Sequence, residues 1–257
     1  MSRALPTRRA RFFHGKFTLP PQSEKAQHGH LRRSSAMPSL VFDLDGTLID
    51  SAPDIALALN KVLEEEGFAP LTLAQVIGFI GNGIPALIGK ARAHYAISEA
   101  RQQPMLAAML RYYDHGQTRL YPGVHEALNA LKAEGYRLGL CTNKNIGPTH
   151  DVLKACGLAE FFEVVIGGDS LSVKKPDPAP LLSAFDALGG HPLLYIGDSE
   201  VDEETARRAG FPFAFFTGGY CHLPEERLTF AVKFDAFDAL PGAVRRLARA
   251  KTGETPA

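Results

Sequence analysis

Cysteine is scarce in this sequence: Cys141, Cys156 and Cys221 are three in 257 residues, an odd number without CxxC spacing. That excludes a disulfide framework and gives no sign of a zinc site. Net charge is absent too, since 28 basic side chains meet 28 acidic ones, so no global field favours nucleic acid. No apolar run reaches transmembrane length, and the N-terminus lacks the apolar stretch of a secretory signal. There is no internal repeat, no P-loop and no Ser-His-Asp arrangement. Together these absences predict a protein of the reducing cytoplasm, monomeric or homodimeric, with neither membrane nor nucleic acid as partner.

What is present is a large apolar share, 45%, enough for one large domain or a domain with an insertion. The neutral balance hides an asymmetry. Residues 1–36 carry eight Lys and Arg against Glu24 alone, so this stretch is +7 and the remainder −7. It is polar and aperiodic, and reads as a disordered basic extension. Met37 stands directly before the first strand signal, so an over-extended start is the plainest expectation for residues 1–36.

The chain is organised around residues 40–51. A short apolar run over 40–42 reads as a buried strand, ending in Asp43 and Asp45, one residue apart, followed by Gly46 and Thr47. Two like charges that close are unfavourable unless a cation or a shared proton offsets them. From residue 52 to 118 only helical periodicity appears, with Ile55, Leu59, Val62 and Leu63 at helical spacing before the acidic run Glu64-Glu65-Glu66. That run reads as a solvated face. A purely helical block after the first strand of an alternating chain predicts a separate cap. From residue 124 the alternation of helix and short apolar strand resumes, which predicts a parallel sheet covered on both faces.

Ligands of open parallel sheets bind beyond the carboxyl ends of the strands. Strand one ends in Asp43 and Asp45, and strand two in Thr142-Asn143-Lys144. Strand three leads to Lys174-Lys175-Pro176-Asp177-Pro178. Strand four ends in Gly197-Asp198-Ser199, with Asp202 close behind. Each signal alone is an ordinary turn or helix cap. On one rim they supply acids for a hard cation, donors for anionic oxygens and a lysine in a proline-stiffened turn, the inventory of phosphoryl transfer. In such chemistry one Asp can attack and another can move the proton.

The segment FDLDGTLIDS resembles the first motif of the haloacid dehalogenase superfamily. Whole segments (DSAPDIALALN, IGNGIPALI, LYPGVHEALNALKAEGYRLGLCTNK, GGDSLSVKKPDPAPLL and YIGDSEVDEETARRAG) are similar, more narrowly, to its phosphoglycolate phosphatase branch. The resemblance covers residues 38–249. It implies an α/β fold, a Rossmann-like parallel sheet formed by residues 37–51 and 119–257, with residues 52–118 as a small mobile helical cap. It further implies a Mg²⁺-dependent phosphatase, turning 2-phosphoglycolate into glycolate and phosphate through an aspartyl phosphate.

By the same resemblance Asp43 is the nucleophile and Asp45 the acid/base, whose carbonyl also reaches the metal. Thr142 and Asn143 bind the phosphoryl group, Lys175 offsets its charge, Asp198 is a metal ligand, and Asp202 supports the metal site from behind or serves as an alternate ligand. In the cap, residues Gly81, Asn82 and Gly83 offer backbone N–H groups to a substrate carboxylate, with an ordinary tight turn as the plain alternative. Lys90 stands where relatives commonly have Arg. Its replacement by Ala is expected to raise KM more for a carboxylated phosphate ester than for a neutral one. Related readings are a phosphosugar phosphatase, a β-phosphoglucomutase, a pyrophosphatase and, in a different class, a regulatory module that binds phosphate esters without catalysis.

Overall fold

The computed structural model describes residues 37–252; the basic stretch 1–36 lies outside the described residues. Six parallel strands form one sheet in the order β5-β4-β1-β6-β7-β8. They are β1 (Pro38–Phe42), β4 (Arg137–Cys141), β5 (Val164–Ile166), β6 (His191–Gly197), β7 (Phe213–Phe216) and β8 (Val232–Phe234). β1 lies at the centre, with Phe42 level with Leu140 of β4 on one side and Ile196 of β6 on the other.

Why β1 reads as an unbroken apolar run follows from its two covered faces. Leu40 and Phe42 pack into the cluster with α5 (Val124–Ala133) and α9 (Leu240–Thr252), whereas Val41 joins the opposite cluster with α7 (Ala179–Leu188) and α8 (Glu200–Ala209). All three are 0% exposed. This is the α/β fold expected from the alternation, with three elements that patterning did not reveal. β8 is a three-residue edge strand carrying Lys233, and β2 (Ile49–Asp50) pairs antiparallel with β3 (Arg119–Leu120) over two residues.

Between β2 and β3 the chain makes α1 (Ala52–Glu65), α2 (Leu73–Ile77), α3 (Ile84–His94) and α4 (Gln102–Tyr112), with their own hydrophobic cluster. Ile55, Leu59, Val62 and Leu63 of α1 form the buried stripe of that cluster. The acidic run at its end is more than a solvated face: Glu66 pairs with Arg101 at 2.6 Å and Glu65 with Arg111 at 3.3 Å. Both pairs reach the segment leading into and along α4.

Entry to and exit from the helical block are tied together. Asp54, buried in the first turn of α1, accepts from the backbone N–H groups of Gln117 (2.9 Å) and Thr118 (2.6 Å) and from the Thr118 hydroxyl (2.7 Å). Removing the carboxylate strands buried donors, which costs about 1–3 kcal/mol each. Asp54→Ala is therefore expected to lower unfolding free energy by about 3 kcal/mol in urea titration. A loss under about 1 kcal/mol would show that this clamp carries little of the fold. Among the described residues no helix is long and apolar enough to cross a membrane.

Candidate active site

The turn after β1 is built around Gly46. Its φ of +89° suits glycine, and a Cβ there would lie 2.4 Å from Asp198 Oδ2. The bare backbone lets the Asp43-to-Thr47 turn close onto the end of β6. Thr47 Oγ1 then donates to Asp198 Oδ1 at 2.7 Å, and the Tyr220 N–H donates to Asp198 Oδ2 at 2.7 Å. Oxygens of Asp43, Asp198 and Asp202 all lie within 4.8 Å of one another, and all three residues are buried.

Lys175 is inserted into this cluster and is 4% exposed. Its Nζ lies 2.8 Å from Asp43 Oδ1, 2.7 Å from Asp202 Oδ1 and 2.9 Å from the Tyr195 hydroxyl. Asp202 and Tyr195 accept hydrogen bonds from it, while the contact to Asp43 Oδ1 is an ion pair outside hydrogen-bond geometry. Asn143 fixes the lysine's backbone from both sides, accepting from the Lys175 N–H and donating to the Lys175 carbonyl, each at 3.0 Å. The same amide also donates to the Gly81 carbonyl of the helical block at 3.0 Å.

Electrostatics follow from burial. Desolvation first, then the charge of Asp202, push Asp43 up to about 7, against the pull of Lys175. Asp198 is pushed well above the ordinary carboxylate range by burial and by its two acidic neighbours. Burial alone would draw Lys175 down, but Asp202 and Asp43 hold it above its usual value. Three buried acids against one lysine leave surplus negative charge, and every donor is a carboxylate oxygen. That set suits a hard divalent cation, which one or two carboxylates and a phosphate typically hold.

Asp45 sits beside this cluster on the cavity wall. Its Oδ1 accepts from Ser51 Oγ at 2.6 Å and faces Lys144 Nζ at 3.2 Å, with Oδ2 at 3.4 Å. Because Ser51 spends its hydroxyl on Asp45, it gives α1 no side-chain cap. The Tyr220 hydroxyl replaces it, accepting from the N–H groups of Ser51 (2.9 Å) and Ala52 (3.0 Å).

The cavity over the rim holds about 150 Å³. Asp43, Asp45, Thr142, Asn143, Lys175 and Asp198 line its floor, and Ile55, Ile80, Gly81, Gly83, Ile84 and Leu106 line its helical side. The structure does not bring two of the proposed cap residues there. Asn82 is not part of the lining, and Lys90 Nζ lies outside it on the Gly78 carbonyl at 3.4 Å. Asp202 lies in the acidic cluster, but both its oxygens are engaged. Oδ1 takes Lys175 and Tyr195 (2.8 Å), and Oδ2 takes Ser199 Oγ (2.6 Å), closing the cap of α8.

Residues that sequence reasoning left aside also meet here. Lys144 and Tyr113 line the cavity. His222 joins it as a bridge, with Nδ1 2.8 Å from Glu200 Oε1 and Nε2 3.0 Å from the Ile77 carbonyl. Burial would raise Glu200, yet the His222 contacts hold it at about 2. The only prior hint of Lys144 was its position after Thr142-Asn143 at a strand end.

The model of the haloacid dehalogenase-like hydrolases matches residues 40–216. A phosphoglycolate phosphatase of Cereibacter sphaeroides is 50% identical over 218 residues, covering 82% of this chain and 99% of the relative. One of Rhodobacter capsulatus is 42% identical, covering 80% and 96% respectively. The crystal structure of a predicted phosphoglycolate phosphatase from Haemophilus somnus superposes with a TM-score of 0.75 at 32% identity, covering 79% of this chain and 96% of that one. A parallel sheet with its acids gathered at the ends of β1 and β6, matched over this much of the sequence, makes the chain a member of the haloacid dehalogenase-like hydrolases.

Proposed function

We propose that this phosphatase hydrolyses 2-phosphoglycolate to glycolate and phosphate in the cytoplasm, through an aspartyl phosphate on Asp43. The observation that carries the reading is the Asp43–Lys175–Asp198 cluster on one cavity, in a chain half identical to a phosphoglycolate phosphatase. Asp43 attacks phosphorus, and the bond to the bridging oxygen breaks as Asp45 supplies its proton. Asp45 then takes a proton from the water that attacks the phosphoryl group, and the Asp43 carboxylate is restored. Lys175 holds positive charge against Asp43 throughout, and Asn143 and Asp202 hold Lys175. Mg²⁺, held by Asp43, Asp198 and the Asp45 carbonyl, would offset charge on the phosphoryl oxygens. Asp202 lies beside these acids and would support the ion from behind. The helical block acts as a cap that excludes water from the first step.

The test is kcat/KM with Mg²⁺ across 2-phosphoglycolate, sugar phosphates and pyrophosphate. Phosphoglycolate is expected to lead the panel by at least about tenfold. A sugar phosphate or pyrophosphate in first place would replace this reading with that of a relative acting on those esters.

A further inference from the structure

A substrate with a phosphoryl group at one end and a carboxylate at the other must place both charges in a cavity walled by isoleucine and leucine. A carboxylate buried there without a partner is strongly disfavoured. The lining includes two lysines, 144 and 175, and one histidine, 222. Lys175 is buried among Asp43, Asp202 and Tyr195, with its charge held by the two acids. His222 is engaged at both ring nitrogens, by Glu200 and by the Ile77 carbonyl.

Lys144 differs. Its two contacts to Asp45, 3.2 and 3.4 Å, are long, so one donor can serve both oxygens. A second donor goes to the Tyr113 hydroxyl at 2.7 Å. An ammonium with three donors can then turn the third to a ligand. Tyr113 accepts from Lys144, so its own proton is free to point elsewhere, and burial pushes its phenol up to about 12. A cation and a hydroxyl thus stand side by side on the cavity wall.

We propose that Lys144, together with the Tyr113 hydroxyl it holds, is the anchor for the substrate's carboxylate. This rests on the phosphoglycolate reading above. The spatial order supports it: Asp43 meets phosphorus, Asp45 the bridging oxygen, and Lys144, in contact with Asp45, the group one carbon beyond. Lys90 is outside the cavity, and at Gly81 a carbonyl faces the site, where it accepts from Asn143. Selectivity for a carboxylate therefore comes from the core, from the residue after Thr142-Asn143, with α4's C-terminal neighbour Tyr113 completing it when the cap is seated.

The experiment compares kcat/KM for 2-phosphoglycolate with that for ethyl phosphate, which lacks the carboxylate, on the full chain with Mg²⁺. Any common loss from disturbing Asp45 cancels in the ratio. Lys144→Met is expected to lower the ratio about ten- to a hundredfold, chiefly through KM for phosphoglycolate. Lys144→Gln, which keeps hydrogen bonds to Tyr113 and Asp45 without the charge, carries the same test if the Met variant does not fold. Tyr113→Phe lowers the ratio about threefold, and Lys90→Ala moves it less than twofold. An unchanged ratio in the Lys144 variants, or a collapse in Lys90→Ala, overturns the anchor while leaving the phosphatase reading intact. A wild type that shows no preference for the carboxylated ester overturns both.

Discussion

Asp43→Asn is expected to remove turnover by at least about 10⁴-fold and, at the same time, to stabilise the metal-free fold at pH 8. The first effect follows from losing the carboxylate that forms the covalent bond in the proposed mechanism. The second follows from where that carboxylate is held. Burial and Asp202 raise Asp43 to about 7 from an ordinary 3.8. Between those values the folded chain binds a proton that the unfolded chain does not, so stability falls as pH rises from about 4 to about 7. Asp198, also raised, acts with the same sign, and so does His222, raised chiefly by Glu200. Glu200 opposes them only below its ordinary value, outside this window. His115, lowered by burial, opposes them near neutrality but is only partly buried.

Melting in a chelator should therefore give a Tm for the wild type that drops from pH 5 to pH 8, and a shallower drop for Asp43→Asn. Mg²⁺ should raise the Tm of the wild type more than that of the variant, because binding offsets the charge that the variant lacks. A metal-free wild type that grows more stable from pH 5 to pH 8 would contradict the buried-acid account. A variant that still releases phosphate at a tenth of the wild-type rate would remove Asp43 from the chemistry.

Much of this architecture was readable because its signals are local. The strand ends carrying Asp43, Asp45, Thr142, Asn143 and Asp198 are each a few apolar residues followed by polar ones, a pattern needing no knowledge of the rest of the chain. Lys175 stood apart from Lys174 by its proline, and only Lys175 is buried against Asp43. What escaped was set by distance along the chain. Lys144 meets Tyr113 across 31 residues, and His222 meets Ile77 across 145. No periodicity records such pairs. Asp202 shows a second limit. Its type and spacing mark it for the metal site, and it does lie in the acidic cluster, but its bonds to Lys175, Tyr195 and Ser199 come from partners that the spacing does not show. β2, β3 and β8 were invisible for a plainer reason: two or three residues are too short for an alternation to register.

Lys175→Met should damage both activity and fold. The lysine is the buried cation that Asp43 and Asp202 share, and removing it leaves those acids and Asp198 facing one another. Breaking a buried ion pair by deleting one partner costs about 3–5 kcal/mol. Turnover should fall at least about 10³-fold, since the site loses the fixed positive charge held beside Asp43. The loss of stability should be greater at pH 8 than at pH 5, where Asp43 takes up a proton and relieves the repulsion. It should also be partly reversed by Mg²⁺, which supplies positive charge to the same acids. The decisive measurement is a double-mutant cycle with Asp202→Asn. If Asp202 serves to hold Lys175, the double variant unfolds at a higher denaturant concentration than Lys175→Met alone, because one orphaned charge has gone. If the two substitutions simply add, Asp202 is stabilised by Ser199 and Tyr195 without reference to the lysine, and its place in the site is that of a helix cap.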